Sequence, residues 1–92
     1  SMAIKMEPND EIKYTNRGNA YYSVENYQKA VEDYSKVIKL NPNSSEGYYN
    51  RASAYSMLGQ YKKAVADINR CLEIDPENQD AAKLKSEIEK LK

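Results

Sequence analysis

"NYQKAVEDYSKVIKLNP" spans residues 26–42, and "QYKKAVADINRCLEIDP" spans residues 60–76. Offset by 34 positions, the chain matches itself without a gap. Tyr14 falls on Tyr48, Asn16 on Asn50, Arg17 on Arg51, Ala20 on Ala54 and Tyr21 on Tyr55. Further along, Tyr27, Ala30, Val31, Asp33 and Pro42 fall on Tyr61, Ala64, Val65, Asp67 and Pro76. A period of this length marks a repeat architecture, in which each unit is one supersecondary element stacked on the next.

The spacing inside each unit is helical. Tyr14, Arg17, Gly18, Tyr21 and Val24 recur every three or four residues, and so do Tyr27, Ala30, Val31, Tyr34, Val37 and Ile38. Each set shares one face of a helix. Turns are expected at Glu25-Asn26 and at Gly59-Gln60, where glycine accepts the positive φ of a helix end. The second helix of each unit is expected to stop before Asn41-Pro42 or Asp75-Pro76, since proline disfavours helix in the residue before it. Small residues at Gly18/Ala52, Ala20/Ala54 and Ala30/Ala64 let helices approach closely, with Tyr21 and Tyr55 filling the grooves beside them. Residues 79–92 predict one more amphipathic helix, with Asn78 as N-cap and an apolar stripe of Ala81, Leu84, Ile88 and Leu91. A helix with a polar outer side can close a solenoid.

Composition narrows the chemistry. The 92 residues carry 14 basic and 14 acidic side chains, so the formal net charge is zero. That balance argues against nucleic acid, whose binders carry a basic surplus. No apolar run reaches the roughly 20 residues needed to span a bilayer, so no membrane partner is expected. The chain has no histidine and a single cysteine, Cys71. Neither an internal disulfide nor a zinc-finger pattern is available, and the commonest general base is missing. We therefore expect a cytoplasmic protein with no catalytic residues, no cofactor and no metal. Cys71 reads as a small core residue. Nine tyrosines stand without phenylalanine or tryptophan, so every buried ring brings a hydroxyl with it. Ser1-Met2 reads as the remnant of a removed tag, which makes a longer parent protein an expectation.

These features resemble the tetratricopeptide repeat family of 34-residue helix–turn–helix units. Tyr14, Gly18, Tyr21, Ala30, Tyr34, Val37 and Pro42 match its pattern in the first copy. Tyr48, Ala52, Tyr55, Ala64, Ile68, Cys71 and Pro76 match it in the second. The resemblance implies an all-α, right-handed solenoid of five helices. Residues 1–10 would form a lead-in, 11–44 and 45–78 the two repeats, and 79–92 the capping helix. It also implies an interaction module whose first helices line a concave groove for a peptide or partner helix. The alternatives are a self-associating repeat, by homodimerisation or exchange of the last helix, and a targeting domain cut from a larger enzyme.

The groove face of the family falls here on Thr15, Asn16, Asn19 and Tyr22 of the first helix, with Ile12 and Ser23 beside them. The third helix contributes Tyr49, Asn50, Ser53 and Met57, with Glu46 and Ser56, and Lys83 is the groove cation of the cap. Asn amides pair with backbone donors and acceptors alike, and Tyr supplies contact area at low entropic cost. Chaperone adaptors of the family clamp the C-terminal carboxylates of heat-shock proteins between two Asn, two Lys and one Arg. Asn19 and Asn50 match the asparagines, which makes a chaperone C-terminus one candidate partner. The cations are replaced by Thr15, Asp80 and Leu84, and a frame shifted by one repeat meets Glu46 and Asn50 instead. Asn19 and Asn50 can equally be polar residues of a solvated face. Arg17 with Asp33, and Arg51 with Asp67, are expected as ion pairs within each repeat.

Overall fold

A computed structural model describes residues 8–91, and the sequence features at Ser1-Met2 lie outside them. Five helices follow one another: α1 (Pro8–Ser23), α2 (Tyr27–Leu40), α3 (Ser45–Met57), α4 (Tyr61–Ile74) and α5 (Gln79–Leu91). Helix α1 thus begins three residues ahead of the expected repeat start at residue 11. α1 packs on α2 and α3 on α4 as two hairpins; α2 packs on α3, α4 on α5, and α5 also touches α3.

The caps follow from residue chemistry. Asn26 Oδ1 accepts from the Lys29 N–H, Ser44 Oγ from the Gly47 N–H at 3.0 Å, and Asn78 Oδ1 from the Ala81 N–H at 2.9 Å. Each satisfies a backbone donor that the first turn leaves unpaired. α2 and α4 end where their cap N–H groups return to Val37 O and Cys71 O, ahead of the prolines.

The two hairpin turns share one backbone pattern and differ at the position with positive φ. Asn26 N–H bonds Tyr21 O, and Gln60 N–H bonds Tyr55 O, closing matching helix ends. Gly59 sits there at φ 78, with open space where a Cβ would stand. Glu25 takes the same place at φ 65. An L-residue in this left-handed region costs roughly 1–2 kcal/mol, whereas glycine enters it freely. Glu25→Gly is therefore expected to stabilise the protein by about 0.5–1 kcal/mol, the gain being trimmed by glycine's larger unfolded-state entropy. Urea denaturation of the two proteins checks it, and a midpoint that falls would contradict the account.

The core lies between the helices in two connected clusters. Ala30, Val31 and Tyr34 of α2 take in Ala54 of α3, while Ala52, Ala64, Ile68, Cys71, Ala81 and Ile88 fill the second hairpin and cap. Ala54 thus ties one repeat to the next. Three sequence expectations fail at the edges. Val24, placed on an apolar face by its spacing, is 72% exposed, and Ala20 is exposed where its counterpart Ala54 is sealed. α2 covers Ala54, but among the described residues no helix lies in that place beside Ala20. Leu91 ends the cap exposed, so its stripe closes at Ile88.

Candidate functional site

The two arginine–aspartate pairs hold the first and second helix of each hairpin in register. Arg17 grips Asp33 at 2.9 and 2.8 Å, and Arg51 grips Asp67 at 2.7 and 2.8 Å, each through two parallel N–H donors. The carboxylates are buried, and the guanidiniums are held even more firmly protonated by these hydrogen bonds and by the adjacent negative charge. Arg51 also donates to Ser35 Oγ at 3.1 Å, reaching back into the first repeat. These pairs orient the helices, and so the residues on the opposite faces of α1 and α3, without lining the groove themselves.

Between α1 and α3 lies a cleft of about 340 Å³, lined by Asn19, Tyr22, Ser23, Tyr34, Tyr49, Asn50 and Ser53. None of these seven carries a formal charge, and every one presents an amide or a hydroxyl. Beside it a second cleft of about 210 Å³ is lined by Tyr49, Asp80, Lys83, Leu84 and Glu87 of α3 and α5. Tyr49 lines both, so the two adjoin as a trough along α1, α3 and α5.

Of the residues placed on the groove by sequence, Asn19, Tyr22, Tyr49, Asn50 and Ser53 meet in the first cleft, and Lys83 enters the second. Thr15, Asn16 and Met57 line neither. Asn16 has the same repeat position as Asn50, but Asn50 is on α3, whereas Asn16 is on α1, ahead of which no helix lies among the described residues. Tyr22 does double duty: its ring meets Tyr27 edge-on, with centroids 5.1 Å apart.

Sequence reasoning missed Tyr34. This α2 residue is only 2% exposed, yet its ring threads past α1 and its hydroxyl donates to Asn19 Oδ1 at 2.5 Å in the cleft. Gly18 makes the passage possible, because a Cβ there would stand 2.7 Å from the tyrosine Cε1. The signal was present in the repeat. Where the first copy has Gly18 and Tyr34, the second has Ala52 and Ile68. A small residue grew as its neighbour lost its ring and hydroxyl.

Burial pushes the Tyr34 phenol up to about 12, and burial likewise raises Tyr22. A raised phenol favours the neutral form in the fold. Its stabilising contribution is complete below the ordinary value of about 10 and is lost as pH climbs through the folded value. Absorbance at 295 nm is therefore expected to show an ionisation step near pH 12 that Tyr34→Phe removes. A titration in which all tyrosines ionise together near pH 10 would refute it.

Among the described residues no cluster of His, Cys, Asp and Glu is arranged to hold a metal ion. Cys71 is buried, its thiol raised by desolvation and then by Asp75, with Asn78 Nδ2 3.6 Å from its sulfur. Such a thiol is a packing residue rather than a nucleophile. No helix of the described residues is long and apolar enough to cross a membrane.

Comparison with known proteins places this geometry. Residues 13–44 and 45–78 each match the family model of the tetratricopeptide repeat. The solved TPR2B-domain:pHsp70 complex of yeast Sti1 superposes with a TM-score of 0.84 at 30% identity, covering 86% of this chain and 63% of that one. The first TPR of Spaghetti, bound to the HSP90 peptide SRMEEVD, gives 0.87 at 27% identity, with 92% and 68% covered. The Arabidopsis OM64 TPR domain gives 0.86 at 28%, with 98% and 74% covered. The chain therefore spans less than two thirds of the Sti1 domain and about two thirds to three quarters of the other two. No curated protein sequence matches it.

Proposed function

The chain belongs to the tetratricopeptide repeat family and is a protein-interaction module; from that premise we propose that its trough holds an extended peptide segment of a partner protein, anchored between Asn19 and Asn50. One observation carries the reading: a single uncharged cleft joins the asparagine of α1 to the asparagine of α3. Two of the solved relatives are complexes with heat-shock-protein ligands, which supports a peptide as the occupant.

The charges favour main-chain recognition over a carboxylate clamp. No lysine or arginine lines the first cleft, and the second sets Lys83 among Asp80 and Glu87. A terminal carboxylate would find no cation beside Asn19 or Asn50 and would meet Asp80 across the trough. Amide and hydroxyl groups suit the alternating donors and acceptors of an extended backbone.

The test is a ¹⁵N–¹H titration with SRMEEVD and with the same peptide amidated at its C-terminus. Shifts are expected on α1, α3 and α5, with affinities for the two forms within about threefold. Asn50→Ala is expected to weaken both about fivefold, the scale of one neutral hydrogen bond. Shifts confined to α2 and α4, or none with either peptide, would count against the groove. A loss of tenfold or more on amidation would restore the clamp.

A further inference from the structure

We propose that Tyr34, a residue of the second helix, is a positioning residue of the groove: its hydroxyl locks the Asn19 carboxamide so that only N–H donors face the ligand. The inference rests on the peptide-groove reading for its consequence, but the lock itself can be tested without any ligand.

Tyr34 is 2% exposed. Tyr34 is sealed among Ala30, Val31 and Ala54, and its only side-chain hydrogen bond among the described residues runs to Asn19 Oδ1. A phenol carries one donor hydrogen, and leaving it unpaired in a buried site is costly. If the Asn19 amide turned over, its NH₂ group would face the phenol oxygen. The hydroxyl could then only accept from the amide, and its own hydrogen would lose the one side-chain acceptor that the described residues supply. The amide is therefore held with Oδ1 toward Tyr34 and Nδ2 toward the cleft. The phenol keeps its hydrogen across the physiological range, which lies well below even the ordinary tyrosine value of about 10.

Asn19 is exposed, so those two N–H groups are available to a ligand. At this point the trough accepts a hydrogen-bond acceptor, such as a main-chain carbonyl or a carboxylate oxygen. It refuses a main-chain N–H or an ammonium group. Asn50 differs, since among the described residues its side chain has no hydrogen bond that fixes it. It is free to turn and to answer either a donor or an acceptor. One fixed anchor and one adaptable anchor give the trough a direction, which selects the polarity of a bound strand. The second repeat is the internal control. There Ala52, Ser53 and Ile68 stand at the positions of Gly18, Asn19 and Tyr34, and no hydroxyl crosses from α4.

Tyr34→Phe keeps the ring and removes the oxygen. In the unliganded protein the Tyr34 hydroxyl proton is expected to exchange slowly and to show a nuclear Overhauser contact with the Asn19 side chain. In Tyr34→Phe the Asn19 side-chain NH₂ signals are expected to move by at least 0.3 ppm, while the α4 and α5 backbone signals stay in place. With SRMEEVD and its amide as probes, affinity is expected to fall about fivefold for each. A purely structural tyrosine would lower the melting temperature and leave the Asn19 signals where they were. Unmoved Asn19 signals overturn the proposal whatever the peptides do. Signals that move while both peptides bind as before overturn the positioning role. Signals that move when neither peptide binds the parent protein establish the lock and remove the groove reading instead.

Discussion

Arg51→Ala is expected to destabilise the protein by about 3–5 kcal/mol, the cost of leaving a buried carboxylate without its cation. Asp67 is only 6% exposed, and both its oxygens are taken by the Arg51 fork at 2.7 and 2.8 Å. Alanine removes that fork, the bond to Ser35 that crosses between repeats, and the guanidinium lying over Tyr48 and Tyr55. A domain of this size has roughly 5–15 kcal/mol in all, so such a loss would leave it close to unfolding. The double replacement Arg51→Met with Asp67→Asn is expected to recover most of the loss, because no unpaired charge then remains inside. Urea denaturation of the single and double variants decides the matter. A single-variant loss below 1 kcal/mol, or a double variant no better than the single, would show that the pair contributes no more than a surface salt bridge. Arg17→Ala is expected to cost less, since the Arg17 side chain is 45% exposed against 21% for Arg51, and water can reach Asp33 in its place.

These ion pairs were legible before any coordinates, and the reason is physical. A charge repeated on a packing face in both copies needs a partner, and the repeated Asp33 and Asp67 lie sixteen residues on in each hairpin. The helices, the turn at Glu25-Asn26, the cap at Asn78, the stops ahead of the prolines and the burial of Cys71 were legible for the same reason. Each depends on residues near in sequence or on a pattern stated twice. What the repeat could not say was whether each copy has a neighbour. Ala20 and Ala54 are the same residue at the same phase, and among the described residues only Ala54 is sealed by a neighbouring repeat's helix. Asn16 and Asn50 differ likewise, which is why one lies outside the cleft and the other within. Thr15 and Met57 were placed on the groove by the family's groove face, yet line neither cleft. Tyr34 was hidden for another reason. Matching the copies position by position treats Tyr34 and Ile68 as interchangeable large residues, and Gly18 and Ala52 as interchangeable small ones. Their meaning lies in the pair across two helices.

That pairing makes Gly18→Ala the sharpest test of how the first hairpin is built. An alanine Cβ would stand 2.7 Å from Tyr34 Cε1 and 3.0 Å from Cδ1, closer than carbon atoms in proteins come. The ring cannot swing aside, because it is walled by Ala30, Val31 and Ala54 and tethered at its far end to Asn19. Overpacking of this kind costs about 1–3 kcal/mol and sometimes more. Against it, alanine gains up to about 1 kcal/mol over glycine inside a helix. With the ring pinned at both ends the clash is expected to win, leaving a net loss of about 2 kcal/mol. The second repeat supplies the remedy, since Ala52 and Ile68 pack together there with neither exposed. Gly18→Ala combined with Tyr34→Ile is therefore expected to restore stability to within about 1 kcal/mol of the parent, a coupling of the size found for residues in contact. The restored protein would lack the hydroxyl on Asn19, so it is expected to fold normally and bind SRMEEVD about fivefold more weakly. A double variant less stable than Gly18→Ala would mean that the two positions are not exchanged as a unit. One that folds and binds like the parent would mean that the glycine serves packing alone. The expected outcome separates the two roles of Gly18: a structural one, which the second repeat fills with alanine and isoleucine, and a functional one, which only the glycine–tyrosine pair performs.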